Sequence, residues 1–467
     1  MVPAGRAKPI TAGRALGCTG PGLRVLVVGG GPAGITAAST ARETDATAEV
    51  TVATEFEDVA YSPCAIPMVF GREIPSFDGL LMHGPEHYRG KGIDLRTSTT
   101  VESVSLRERT ATVGGEPLRF DRLVLCTGFQ YERPPLPGAD LPGVHFVKNL
   151  RAAMAMDKEL EGVRRAVVIK GRPLGIEMAT GLAHRGVEVD LVDDEPWLMA
   201  EYSDPDFMKR VQESLEKLGV RVRLGVKVEA IEGGPDGRVR AVRTSAGALP
   251  ADLVVFATKT HANTRVAKQV GLRLGSTGGI VVDDRMRTSE AGVFAAGDCT
   301  EVPHGVAGIP IRGLTATHAV AMGRVAGANA AGADRRYEPV YGPWAMVAGT
   351  VQIGGVALTR TLAEAMGIPY MLAEAEGYSR ARYHPAMMKI RVRLLADPKT
   401  HRLIGCAMVG GENLKERADF LAFAMRKGST LEDIARMENC YSPPIGALNE
   451  PMALAAQAGL RAIGKSW

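Results

Sequence analysis

The cysteine in Tyr61-Ser62-Pro63-Cys64-Ala65-Ile66-Pro67 is the side chain of this sequence with the most chemistry to offer. Serine is a good helix N-cap and proline is favoured at the first helical position. Cys64 would then stand second, among unpaired N–H groups whose partial positive charge favours a thiolate. Pro67 removes a helical hydrogen bond and is expected to delay or kink that helix. The competing reading of a free cysteine is a small buried hydrophobe. That reading suits Cys126, Cys299 and Cys406, which sit in or beside apolar, strand-like runs; Cys440 is left between a resolving thiol and plain packing.

Two glycine motifs bracket this chemistry. Gly29-Gly30-Gly31-Pro32-Ala33-Gly34 fits G-x-G-x-x-G, directly after the apolar run Leu23 to Gly29 and at the opening of a helical stretch from Ala33. Gly29 would permit a tight turn, Gly31 would let backbone approach a pyrophosphate, and Gly34 would let helix and strand pack closely. The helix N-terminus then faces the phosphates with its positive end. A ribose partner is expected about 20 residues on, where Thr54 and Glu55 follow the strand Glu49 to Ala53.

A second βαβ pattern runs through Ala166 to Ile169, Gly175 to Arg185 and Glu188 to Val192, closing on Asp193. Its turn reads Lys170-Gly171-Arg172-Pro173-Leu174-Gly175, so two of the three patterned glycines are long cations. A side chain at the second position blocks the approach of backbone to pyrophosphate. Gly171, Gly175 and Asp193 are its candidate nucleotide contacts. Two readings stay open: the cations bind a dinucleotide by charge, or the unit is repurposed and electrons come from another donor.

The elements that must position these motifs need more than one core, because the chain has 467 residues. Residues 1–22 hold no acidic residue and no apolar signal core and are expected to form a disordered tail. The later chain changes character: Lys389 to Leu394 alternates, Asp397-Pro398-Lys399 makes a turn, Arg402 to Val409 returns, and helical segments run to Leu460. The net charge is only +4, with no basic run, which gives no case for nucleic acid. No apolar run reaches the roughly 18 to 20 residues of a membrane span. Six irregularly spaced cysteines make no disulfide framework, so a reducing cytoplasm is the default expectation. No metal site is expected: His83 and His87 have Pro85 between them.

Leu123-Val124-Leu125-Cys126-Thr127-Gly128, Thr288-Ser289, and Val293-Phe294-Ala295-Ala296-Gly297-Asp298 with the helix entry Leu314-Thr315-Ala316 resemble the FAD-binding pieces of the pyridine nucleotide-disulfide oxidoreductases. The resemblance implies an α/β fold of two Rossmann-like dinucleotide-binding domains followed by an α+β C-terminal dimerisation domain. The FAD domain would comprise 23–140 and 266–336, split by an NAD(P)-type domain at 141–265, with dimerisation at 337–467. FAD would be held by Gly29, Gly31, Pro32, Ala33, Gly34, Thr54, Glu55, Thr127, Gly128 and Gly297. Asp298 would contact the ribityl chain, and Thr315 and Ala316 would open a helix toward the flavin.

Cys64 has no second cysteine nearby. In this it resembles the branch of coenzyme A-disulfide reductases, persulfide reductases and NADH oxidases, as do Ala381-Arg382-Tyr383 and Glu438-Asn439-Cys440-Tyr441-Ser442-Pro443-Pro444. That branch implies a homodimer in which tyrosines of the second subunit, here Tyr383 and Tyr441, lie over the active sulfur. The substrate would be a small thiol or disulfide. A coenzyme A link stays open, because Arg42 matches one basic residue of the branch's paired motif while Glu43 replaces the other. Ala257-Thr258-Lys259 stands where the family has Ala-Thr-Gly. The rival reading is an FAD-containing electron-transfer subunit of a larger complex, served by an electron-donor protein. Lys170, Arg172 and Lys259 favour it; Cys64 with its two tyrosines favours the enzyme.

Overall fold

A computed structural model describes residues 22–147, 149–312 and 315–465. The expected tail, apart from Gly22, and Leu314 lie outside the described residues.

Two parallel sheets organise the first three-quarters of the chain. One has the order Val293–Ala295, Arg122–Leu125, Arg24–Val28, Glu49–Ala53 and Ile93–Arg96; the other runs Arg221–Arg223, Glu188–Val192, Arg165–Ile169, Leu253–Phe256 and Val144–His145. Their central strands are continuous Val, Leu and Ile runs buried on both faces, as parallel strands covered by helices must be. Each unit carries an antiparallel three-stranded sheet as well: Val101–Ser105, Thr110–Val113 and Glu116–Arg119 in the first, Val228–Gly233, Val239–Thr244 and Gly247–Pro250 in the second. The chain passes between the units through Phe129–Tyr131, which pairs antiparallel with Thr260–Ala262.

The helix Pro32–Thr44 packs against Ala316–Ala330 with almost no space between backbones. A Cβ on Gly323 or Gly327 would come within 2.4 Å of Ala33 O or 2.1 Å of Ala37 O. This contact ties the first glycine turn to the helix that begins at Ala316.

The C-terminal domain is an antiparallel sheet in the order Trp344–Ala348, Val351–Ala357, Leu403–Gly410, Lys389–Ala396 and Met371–Tyr378, covered by helices Leu414–Arg426, Leu431–Ala435 and Pro451–Ala462. Ile390, Val392 and Leu394 are buried as the alternation requires. The opposite face of that strand is not all solvated, because it docks on the second unit. Arg393 is 2% exposed. It donates to Asp204, Asp206 and Glu374, each at 2.7 Å. A buried cation without such partners would cost several kcal/mol, so this cluster fixes the C-terminal domain against the second parallel sheet.

Candidate functional site

The first glycine turn has the geometry that a pyrophosphate needs. Gly29 takes φ +111°, a conformation that L side chains avoid. A Cβ on Gly34 would lie 1.8 Å from Gly29 O, so only glycine lets helix and strand close. Gly31 is the N-cap of Pro32–Thr44, and nothing lies within 4 Å of where its Cβ would stand. Gly297, at φ +81°, abuts Ala33, because a Cβ there would reach the Ala33 Cβ at 2.9 Å. Thr54 is buried and Glu55 is exposed at the end of the second strand. Thr127 donates its hydroxyl to Asn263 O at 2.5 Å, and Gly128, at φ +68°, accepts from Asn263 N–H at 2.9 Å. Thr315 is the N-cap of Ala316–Ala330, and its hydroxyl accepts from His318 N–H at 3.3 Å.

Asp298 is the telling residue of this group. Its Oδ1 is buried with no hydrogen-bond partner, and burial pushes its carboxyl up to about 6. An orphaned buried acceptor is costly. A ribityl hydroxyl would satisfy it, and the open space before Gly31 would take a pyrophosphate. The residues present fit FAD.

The sulfur segment departs from its sequence reading. Pro63–Ala65 is a single 3₁₀ turn, and the α-helix begins only at Ile66–Phe70, with Pro67 in its first turn. Ser62 makes no side-chain capping bond. Cys64 is exposed, yet its thiol is pushed up rather than down. Partial desolvation is the largest cause, and the carboxylates of Glu177 and Asp298 add to it. The expected helix-terminus thiolate is therefore not what the chain alone provides: one short turn supplies little dipole, and two carboxylates oppose the anion.

The charge of Glu177 is felt at Cys64, and its helix packs close to the Cys64 segment because two glycines stand at the contact. A Cβ on Gly181 would meet Pro67 O at 2.5 Å, and one on Gly71 would lie 3.2 Å from Gly181 Cα. Helix Pro173–His184 of the second unit thus lies directly on the Cys64 segment. Burial pushes the Glu177 carboxyl up to about 7. Tyr61 and Tyr131 are likewise pushed up to about 12, chiefly by burial, and Tyr131 also feels Cys64. Sequence reasoning missed Glu177, Tyr131 and Arg312, the cation whose charge opposes the rise at Asp298. Glu177 alone left a trace, as an acid two residues past the last glycine of the second motif.

The second glycine turn is filled. Lys170 holds φ +85°, the conformation Gly29 takes in the first turn. Its ammonium pairs with Asp194 and, at 3.2 Å, with Asp193. Gly171 N–H donates to Asp193 at 2.7 Å. Arg172 pairs with Glu201 at 2.7 Å, and Lys259 pairs with the same Glu201.

Tyr383 and Tyr441 share a hydroxyl–hydroxyl hydrogen bond of 2.9 Å. They are 75% and 42% exposed, and among the described residues no hydrogen bond joins either to Cys64 of their own chain. Phe423, Ile445 and Leu448 of the same domain are exposed too. Among the described residues no group of three or more candidate ligands could hold a metal, and no helix is long and apolar enough to cross a membrane.

Residues 23–323 match the family model of the pyridine nucleotide-disulphide oxidoreductases, and residues 345–451 match that family's dimerisation domain. The chain belongs to this family. It is 36% identical to the NADH oxidase of Methanocaldococcus jannaschii over 447 residues, which span 94% of this chain and 99% of the relative. It is 32% identical to the NAD(P)H coenzyme A polysulfide/persulfide reductase of Pyrococcus horikoshii, over 93% of this chain and 98% of the relative. The solved NAD-dependent persulfide reductase of A. fulgidus superposes with a TM-score of 0.90 at 29% identity, covering 95% of this chain and 84% of that one. The expected family, the α/β fold with its dimerisation domain and the FAD-dependent enzyme class therefore stand.

Proposed function

We propose that the protein is an FAD-dependent reductase of a low-molecular-weight disulfide or persulfide, working through Cys64 in a homodimer. The observation that carries this reading is an exposed thiol whose ionisation feels two buried carboxyls, Glu177 and the orphaned Asp298. FAD would lie along Gly29, Gly31 and Gly34 with its ribityl chain at Asp298, using 23–140 and 266–336 as one domain. When bound, it supplies the two-electron carrier.

The sulfur step balances without a second protein thiol. Deprotonated Cys64 attacks one sulfur of RS–SR, forms the mixed disulfide Cys64–S–S–R and releases RS⁻. Two electrons then cleave that bond, returning Cys64 thiolate and a second RS⁻, and two protons complete two RSH. Glu177, whose carboxyl burial pushes up to about 7, governs how readily Cys64 ionises: its charged form opposes the thiolate and its protonated form does not. Tyr383 and Tyr441 are exposed donors suited to orienting the sulfur of the second subunit's site. The names of the coenzyme A persulfide reductase and the persulfide reductase among the relatives support this substrate class.

The test is Cys64→Ser in the flavin-loaded protein. It should keep its yellow colour and its dimer, and lose oxidation of the photoreduced enzyme by disulfides or persulfides. Retained sulfur-dependent oxidation in that variant would move the function to plain electron transfer. The paired cations at 170, 172 and 259 favour that second reading, an electron-transfer subunit served by a donor protein.

A further inference from the structure

We propose that the second dinucleotide unit is closed to nicotinamide dinucleotides by Arg172, which occupies the space that the first unit keeps empty for a pyrophosphate. The proposal rests on residues 170–175, 193–201 and 259, and not on the sulfur chemistry at Cys64.

The two glycine turns allow a residue-by-residue comparison within one chain. Gly29 and Lys170 both take positive φ, +111° and +85°. Gly34 and Gly175 both admit no Cβ, which would fall 1.8 Å from Gly29 O and 2.0 Å from Lys170 O. Gly31 and Arg172 are both N-caps followed by proline, with φ/ψ of −73°/−175° and −88°/173°. The backbones of the two turns therefore run alike, and the Cβ of Arg172 points as a Cβ on Gly31 would. At Gly31 that direction is open for 4 Å. At Arg172 it carries a guanidinium.

That guanidinium is already engaged within the protein. It is held at 2.7 Å by Glu201, which also pairs with Lys259. Burial raises the Glu201 carboxyl, but the hydrogen bonds from Lys259 and Arg172 outweigh it and keep the group below its ordinary range. Lys170 is likewise taken by Asp193 and Asp194. Asp193, which stands where a ribose partner is expected, is 3% exposed and already accepts from Gly171 N–H and Lys170. A pyrophosphate entering here would meet three carboxylates whose cations it would first have to take. It would also lose the close backbone contact that glycine allows at the second position. Lysine at positive φ is strained relative to glycine. The turn keeps the strained shape while its ligand contacts are spent within the protein.

The experiment is equilibrium binding of NADH, NADPH and NAD⁺ to the flavin-loaded protein by calorimetry. No saturable binding is expected up to about 1 mM, a free energy near −4 kcal/mol. Arg172→Gly, and Arg172→Gly combined with Lys170→Gly and Lys259→Gly, should gain binding, the triple variant by tenfold or more. The FAD-to-protein ratio of each variant shows that it has folded. Oxidation of the photoreduced variants by a disulfide reads the Cys64 reaction separately and should be unchanged. Saturable wild-type binding with a dissociation constant below about 1 mM, or a folded triple variant that binds no better than wild type, overturns the proposal. Wild-type binding that weakens in Arg172→Gly overturns it as well, by showing that the cation recruits the phosphate.

Discussion

Glu177→Gln should make Cys64 react faster, and by an amount that depends on pH in a defined way. The Glu177 carboxyl titrates near 7 and its charge helps push the Cys64 thiol up. Removing that charge lets the thiol move back toward its ordinary range and raises the thiolate fraction at pH 8. A less basic thiolate is also a poorer nucleophile, with a Brønsted coefficient of about 0.45, so roughly half of the gain on a logarithmic scale is returned. The net expectation is a rate faster by a factor of about two to four with a disulfide probe at pH 8, less where salt screens the exposed sulfur. Below pH 7 the wild-type carboxyl is protonated, the charge difference disappears, and the two rates should converge. The sign for stability follows the same titration. The folded carboxyl holds its proton more tightly than the unfolded one, so its contribution is complete below about 4.5 and is lost as pH rises toward 7. The assay is stopped-flow reaction with a chromogenic disulfide from pH 5.5 to 9, with wild type and variant both flavin-loaded. A rate ratio that does not change with pH, or a slower variant, would refute the electrostatic coupling.

Two further outcomes follow from the same geometry. Asp298→Ala removes the acceptor left orphaned at the flavin site, and Gly31→Val fills the open space before the helix; both should purify largely colourless, as the ratio of flavin absorbance to protein absorbance will show. The exposed Phe423, Ile445 and Leu448 should be covered in a homodimer burying on the order of 2,000 Å², so sedimentation at micromolar protein should give twice the chain mass, and Phe423→Asp with Leu448→Asp should give monomer.

The fold was legible where a single physical demand governs a segment. A strand buried on both faces is dominated by apolar residues, and Arg24–Val28 and Arg165–Ile169, with the more mixed Glu49–Ala53 and Glu188–Val192 beside them, could be read to within a residue or two. The alternation of Lys389 to Leu394 was visible because one face of that strand carries the core residues Ile390, Val392 and Leu394. Its charged face misleads, because Arg393 is buried against acids nearly two hundred positions earlier in the chain, and no local pattern announces a partner so distant.

The sulfur site was less legible because its electrostatics are assembled across units. Ser62-Pro63-Cys64 has the composition of a helix start, and from composition alone a lowered thiol is the reasonable expectation. Two facts reverse it. The turn that forms is only Pro63–Ala65. The charge of Glu177, on a helix from the other dinucleotide unit that packs closely at Gly71 and Gly181, opposes the thiolate. Those glycines lie outside both phosphate motifs, and their role is apparent only once the helices have met. The second glycine turn shows the converse. There the substituted residues could be read, but not their effect, because whether Lys170, Arg172 and Lys259 attract a phosphate or exclude it depends on what holds them. Asp193, Asp194 and Glu201 hold all three. The strand-to-helix packing glycine, Gly175, is retained while the glycine that would face a ligand is not. The demands on this turn have therefore separated: it still closes strand on helix through Gly175, while the position that Gly31 leaves open in the first turn carries the Arg172 side chain, paired with Glu201.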